Sequence, residues 1–202
     1  MPSGMLVALE GIDGAGKSET RALTAQRLRE RGLRVIECGE LQSPWADSIR
    51  SGLSGHYTPF VKTFLFAADR AWTYEQICVP ALAAGSVVLW DRYVDSALVY
   101  RGVELSREPA LLELQFVRTI NEPFRRPDLT ILLDLPVSKA EARVQAAGRA
   151  EPYTRTFLEK VRTEYLRIAN EKTSRYVVID ADASREEVSS RCERAILAAH
   201  QT

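Results

Sequence analysis

Five short apolar runs punctuate the chain: Leu6–Leu9, Leu33–Cys38, Val87–Trp90, Leu129–Leu135 and Tyr176–Ile179. Each has the length of a strand and carries few polar residues, the pattern of strands covered on both faces. The stretches between them are mixed, with apolar residues recurring every three or four positions, and predict helices over 17–31, 59–84, 94–101, 106–121, 137–147, 154–173 and 184–199. Gly32 ends the first helix and Gly85 closes the second, which reads as one long helix or two. Thr58-Pro59 opens that second stretch, where threonine can cap and proline suits a first turn. Pro136 stops the fourth strand. Alternation of this kind implies an α/β fold, a five-stranded parallel sheet with helices on both faces. No repeat, linker or low-complexity tract interrupts it, so residues 1–202 read as one domain.

In such sheets ligands gather at the carboxyl ends of the strands. Residues there are Gly11–Ser18, Glu40, Asp91-Arg92-Tyr93, Asp134 and 180–182. The first group is the most informative. Gly11, Ile12, Asp13, Gly14, Ala15, Gly16, Lys17 and Ser18 spell G-x-x-x-x-G-K-S between a strand and a helix, the context of a phosphate-binding loop. Backbone N–H groups must converge on an anion, so glycines stand where a Cβ would collide or φ must be positive. The helix adds its unpaired N–H groups and the positive end of its dipole. Lys17 supplies a mobile charge for outer phosphates, and the Ser18 hydroxyl can ligate Mg²⁺.

Composition narrows the picture further. Twenty-seven basic and 27 acidic residues give zero net charge, so nothing points to nucleic acid or an anionic membrane. Arginines number 22 against 5 lysines, and guanidinium forks suit phosphate. Cys38, Cys78 and Cys192 are far apart with no CxxC, which implies a reducing compartment. The first residues lack a basic segment followed by an apolar one, and no apolar run reaches membrane-spanning length, so a cytoplasmic location is expected.

Three further constellations carry chemistry. Asp91 next to Arg92 falls beside the phosphate loop, where the carboxylate can position Mg²⁺ and the guanidinium can hold a second anionic substrate; the plainer alternative is an ion pair capping the next helix. Phe66 and Arg70 share a helix face and can stack on and hydrogen-bond a base. On spacing alone, a core phenylalanine with a surface arginine explains them better. Gly148-Arg149-Ala150-Glu151-Pro152 is a polar turn between helices, either a plain connection or a lid over 143–155 that brings arginine to transferring phosphate when closed. His56 and His200, the only histidines, read as surface residues.

Taken together these blocks resemble the thymidylate kinase family of P-loop nucleoside monophosphate kinases over nearly the whole chain. The resemblance rests on Glu10–Ser18, Leu65–Arg70, Pro80–Gly85, Asp91–Ser96, Arg126–Thr130 with Leu133-Asp134, Gly148–Glu151 and Ile179–Ala181. It implies ATP and Mg²⁺ as cofactors, dTMP first among pyrimidine deoxynucleotide acceptors, and a homodimer. Another nucleotide or a deoxynucleoside is the alternative acceptor, and a nucleotide-dependent switch the more distant one.

The resemblance also implies roles. Lys17 and Ser18 serve ATP and Mg²⁺, Asp91 sits near the metal, and Asp13 approaches the acceptor's sugar and phosphate. Phe66 stacks on the base, Arg70 reads its carbonyl edge, and Arg92 holds the acceptor phosphate. Tyr93, Ser96, Tyr100 and Arg101 belong to the acceptor side, and Ala181–Ser184 border adenine. Family members with a basic residue in the phosphate loop tend to lack a lid arginine, and the reverse. Gly14 occupies the loop position here, so Arg149 is expected to meet the transferred phosphoryl. Two departures lie on the acceptor side. Gly39-Glu40-Leu41 replaces the usual Arg-Glu-Pro, keeping only Glu40, and Arg101 stands for a glutamine that commonly contacts the base.

Overall fold

The computed structural model describes residues 4–52, 57–105, 111–149 and 152–200. Its sheet comprises β1 (Met5–Glu10), β2 (Val35–Gly39), β3 (Val87–Asp91), β4 (Leu129–Asp134) and β5 (Tyr176–Asp180), in the order β2-β3-β1-β4-β5. Every neighbouring pair is parallel, as the apolar runs imply. β1 is central, with Leu9 beside Asp91 of β3 and Glu10 beside Leu132 of β4. The loop leaving β1 therefore opens where the strand order reverses, the crevice in which such sheets bind ligands.

The two faces of the sheet are buried by different helices. Met5, Val7, Leu9, Val87 and Leu89 pack with Ala25 and Leu28 of α1 (Lys17–Glu30) and with Val188, Cys192 and Ile196 of the C-terminal helix. Leu6, Ala8, Val88 and Trp90 point the other way, onto Cys78, Ala81, Leu82 and Phe124.

The expected helix over 59–84 is one continuous rod of three parts. α3 (Pro59–Thr73) runs into a π-helical turn (Tyr74–Cys78) and then into a short α4 (Val79–Ala83), and Tyr74 and Val79 keep helical backbone angles. Thr58 caps it by accepting the Val61 N–H at 3.3 Å, with Pro59 in the first turn. α2 (Ala46–Gly52) was not expected; seven residues are too few to display a helical period.

Beyond β3, α5 (Val94–Leu105) runs four residues past its expected end, and α6 (Leu111–Asn121) follows. The expected start of α6, 106–110, lies outside the described residues. α7 (Val137–Ala146), α8 (Arg155–Glu171) and α9 (Arg185–His200) match their expected spans within two residues.

Candidate active site

The glycines of the first loop are needed for different reasons. A Cβ at Gly11 would lie 2.6 Å from the Leu133 carbonyl oxygen, so the glycine lets β1 leave the sheet close under β4. Gly16, at φ 87°, is the left-handed cap that starts α1. Lys17 is buried and its Nζ donates to the Ile12 carbonyl at 2.7 Å. Burial, with Arg92 nearby, brings the Lys17 ammonium down to about 8. An arriving polyphosphate reverses that bias, because opposite charge favours the protonated form.

The Ser18 hydroxyl donates to Asp91 Oδ2 at 2.6 Å, while Asp91 Oδ1 is buried without a hydrogen-bond partner. A serine oxygen beside an unused carboxylate oxygen is a hard donor set suited to Mg²⁺. These two residues fit the metal that the sequence implies.

The turn after β3 is fixed by Glu10. This fully buried carboxylate accepts from the backbone N–H groups of Tyr93 and Ser96 and from the hydroxyls of Ser96 and Tyr165. Burial raises its pKa, with Asp95 adding to the rise. The turn holds Arg92 at φ 63°, a left-handed conformation uncommon for a side-chain-bearing residue. Arg92 Nη2 then donates to Asp13 Oδ1 at 2.7 Å, and its guanidinium lies 5.0 Å from the centre of the Tyr100 ring. Tyr100 donates to the second Asp13 oxygen at 3.3 Å. Burial alone would raise the Asp13 carboxyl, but Arg92 and Lys17 outweigh it and hold it below the usual value.

Tyr93, expected on the acceptor side, lines neither side of the cleft. Its ring is buried against Trp90, and its hydroxyl donates to the Arg125 carbonyl. Adjacent residues leaving a strand point to opposite sides, so placing Arg92 in the cleft sends Tyr93 into the core.

Two cavities meet over this loop. One, of about 620 Å³, is lined by Phe66 and Arg70 of α3, Ser96, Tyr100 and Arg101 of α5, Asn121 and Tyr153. Phe66 and Arg70 thus line a cavity together, which spacing alone did not favour. Arg70 is buried; its Nη1 donates to Asn121 Oδ1 at 2.6 Å, while Nε and Nη2 have no hydrogen-bond partner. Buried, unmatched donors of this kind are costly unless a ligand accepts from them. Arg101 pairs with Glu104 one turn along α5.

Glu40 lines both cavities, and burial pushes its carboxyl up to about 7 against the opposing pull of Arg92 and Arg70. The loop carrying it is pinned by the Asp69 carboxylate, which accepts the N–H groups of Leu41, Gln42 and Ser43 at 2.7, 3.1 and 2.9 Å.

The second cavity, about 1070 Å³, is lined by residues 13–18, Asp91, Arg143, Arg149, Ala181, Ala183 and Ser184. Gly11 and Ile12 shape the loop from beneath. Ala181 is fixed by its N–H to the Asp134 carbonyl, 2.8 Å, and its own carbonyl accepts from Arg143 Nη2 at 2.9 Å. Asp13, Glu40, Leu41 and Arg92 line both cavities.

A family model described as thymidylate kinase matches residues 9–192. The chain belongs to the thymidylate kinase family. It is 39% identical over 191 residues to a thymidylate kinase of Pseudomonas fluorescens, covering 89% of this chain and 88% of that protein. It is 40% identical over 192 residues to a probable thymidylate kinase of Pyrobaculum aerophilum, covering 91% and 92%. As a thymidylate kinase family member it is a nucleoside monophosphate kinase, a phosphotransferase whose phosphate donor is ATP.

Four side chains that shape this thymidylate kinase site were given no role of their own by the sequence: Glu10, Asp69, Tyr153 and Arg143, the last named only as the start of the lid. Glu10 and Asp69 act on segments far along the chain, which no local pattern reveals. Arg143 sits on the first helix of the expected lid, and its proximity to the loop was the available signal. Tyr153 follows the lid turn and stacks on Phe157 at 4.6 Å.

Proposed function

We propose that the protein transfers the γ-phosphoryl group of ATP to dTMP, giving dTDP and ADP. One observation supports this most. Two cavities, one with a phosphate loop and one with an aromatic ring and unmatched guanidinium donors, meet at Arg92 and Asp13. In this reading Phe66 packs on thymine, and Arg70 Nε and Nη2 donate to its carbonyl edge. A 4-amino pyrimidine would present a donor there, so dTMP is preferred to dCMP. Arg92 holds the acceptor phosphate, and Ser96, Tyr100 and Arg101 complete that side.

An acceptor phosphate oxygen attacks the γ-phosphorus, and the bond to the β–γ bridging oxygen breaks as ADP leaves. No side chain becomes covalently attached. Lys17 and the loop N–H groups steady the donor phosphates, Asp13 orients Arg92, and Arg149 meets the charge that builds on the transferred group. Ser18 and Asp91 would hold Mg²⁺, which supplies charge neutralisation on the phosphate oxygens when bound. The 143–155 segment, of which 150 and 151 lie outside the described residues, serves as the lid, and Ala181–Ser184 border adenine.

We also assign a homodimer. Phe60 and Phe64 are 51% and 48% exposed on α3 and pack at tilted angles against Phe116 of α6, an apolar face beside Val61. The three cysteines are free thiols, in keeping with a cytoplasmic location. Among the described residues no helix is long and apolar enough to cross a membrane.

A coupled ADP-release assay over dTMP, dUMP, dCMP and thymidine tests the reaction. The expected order places dTMP first. Stimulation by thymidine with none by any monophosphate rejects the assignment.

A further inference from the structure

Carboxylates crowd the place where the two cavities meet. Asp13 and Glu40 line both, and Asp91 lines the loop side. Lys17 answers them from the loop and Arg92 from the turn after β3, but two phosphates brought end to end add more negative charge at that point. Electroneutrality there calls for further cations.

Arg21 is placed to supply one. It lies one turn of α1 beyond Lys17 and lines the loop-side cavity with Gly39, Glu40 and Asp91. Its Nε donates to Glu37 at 3.3 Å and its Nη1 to the Cys38 carbonyl at 2.8 Å. Those bonds hold the guanidinium across the carboxyl end of β2.

Gly39 makes the room. A Cβ at residue 39 would come within 3.0 Å of Arg21 Nη1, while its other neighbours, Asp91 backbone oxygen and Cβ, would stand at ordinary contact, 3.6 and 3.7 Å. Gly39 is not among the glycines with positive φ. Space rather than backbone conformation therefore favours glycine, since a larger residue would displace the end of the Arg21 side chain. The resemblance sets an arginine against Gly39, so position 39 is also where it leads one to expect a cation that this sequence lacks. Arg50 reaches the same rim from α2, but its side chain is 54% exposed against 21% for Arg21, so water screens it more strongly.

We propose that Arg21 delivers, from α1, a guanidinium to the phosphate oxygens where donor and acceptor meet, and that Gly39 is the gap that admits it. The inference rests on the phosphotransfer reading above. In this chain the cation comes from the helix beside β2, and the strand residue is small enough to let it pass.

Steady-state kinetics of the full chain, with dTMP and ATP varied separately, test this in Arg21→Ala, Gly39→Arg and the double variant. Arg21→Ala is expected to lose about 10- to 100-fold in kcat/KM, the worth of one charge-assisted hydrogen bond. A raised KM for dTMP places the lost contact on the acceptor phosphate. A lowered kcat with both KM values unchanged places it on the transferring phosphoryl. The double variant is expected to recover most of the loss, and Gly39→Arg alone, which crowds two guanidiniums into one space, to be poorer than the double.

If Arg21 only tied α1 to β2, arginine at 39 would not rebuild its bonds to Glu37 and Cys38. A lower Tm in Arg21→Ala with no recovery in the double variant overturns the proposal. So does an Arg21→Ala enzyme within about twofold of wild type. Failure of the wild type itself to use any nucleoside monophosphate is a separate result, and strikes the phosphotransfer reading instead.

Discussion

Gly14 decides where the cation for the transferred group has to originate. A Cβ there would lie 2.4 Å from the Ala140 carbonyl oxygen, and the residue holds φ +77°. A lysine or arginine at that point would push the loop off α7. Arg149, exposed and lining the loop-side cavity, is the proposed complement. Arg149→Ala is expected to lower kcat by about 10³-fold or more, with the KM for ATP little changed. Gly14→Arg should not restore it; recovered turnover in that double variant would show that the loop yields.

Glu40 gives a second prediction at this scale. Its carboxyl titrates near 7 in the folded chain against 4.5 as the ordinary value, so the native state holds the extra proton between those limits. Stability from this group is complete below pH 4.5 and is lost as pH rises through about 7. Thermal melts of the unliganded protein should therefore show a shallower decline across that window in Glu40→Gln. An unchanged slope would mean Glu40 is already ionised.

Elements were legible in the sequence where burial was total. β1, β3 and β4 lie buried on both sides, so their apolar runs stood out, and Thr58-Pro59 announced the start of α3 chemically. α2 was hidden by its shortness, and the π-helical turn because one extra residue barely disturbs a helical period. The phosphate loop and Arg92 were readable because their chemistry is compressed into a few neighbouring residues. The partners that aim them were not. Glu10 reaches Tyr165 across 155 positions, and Asp69 reaches Leu41 across 28. Asp69→Ala, which strands three N–H groups, is expected to destabilise the fold by about 1.5–3 kcal/mol and to raise the KM for dTMP by freeing the Glu40 loop. Denaturant unfolding beside dTMP titrations measures both, and a stability loss with unaltered KM would separate Asp69 from the acceptor side.

At the scale of the molecule, the sheet order puts β1 at the centre and splits the cleft into two rooms on either side of its loop. The exposed aromatic face of α3 lies on the helix that lines one of them, so association of two chains would brace Phe66 and Arg70 from behind. Phe64→Glu is expected to shift sedimentation from dimer to monomer and to weaken dTMP binding more than ATP binding. A wild-type monomer at micromolar concentration would remove that coupling. The common wall between the rooms, Asp13, Glu40, Leu41 and Arg92, carries one more implication. Where those side chains alone divide the rooms among the described residues, adenosine and thymidine bridged by a string of phosphates would fit as a single inhibitor. It would occupy both rooms for one loss of translational freedom, and its affinity should exceed that of either nucleotide by orders of magnitude.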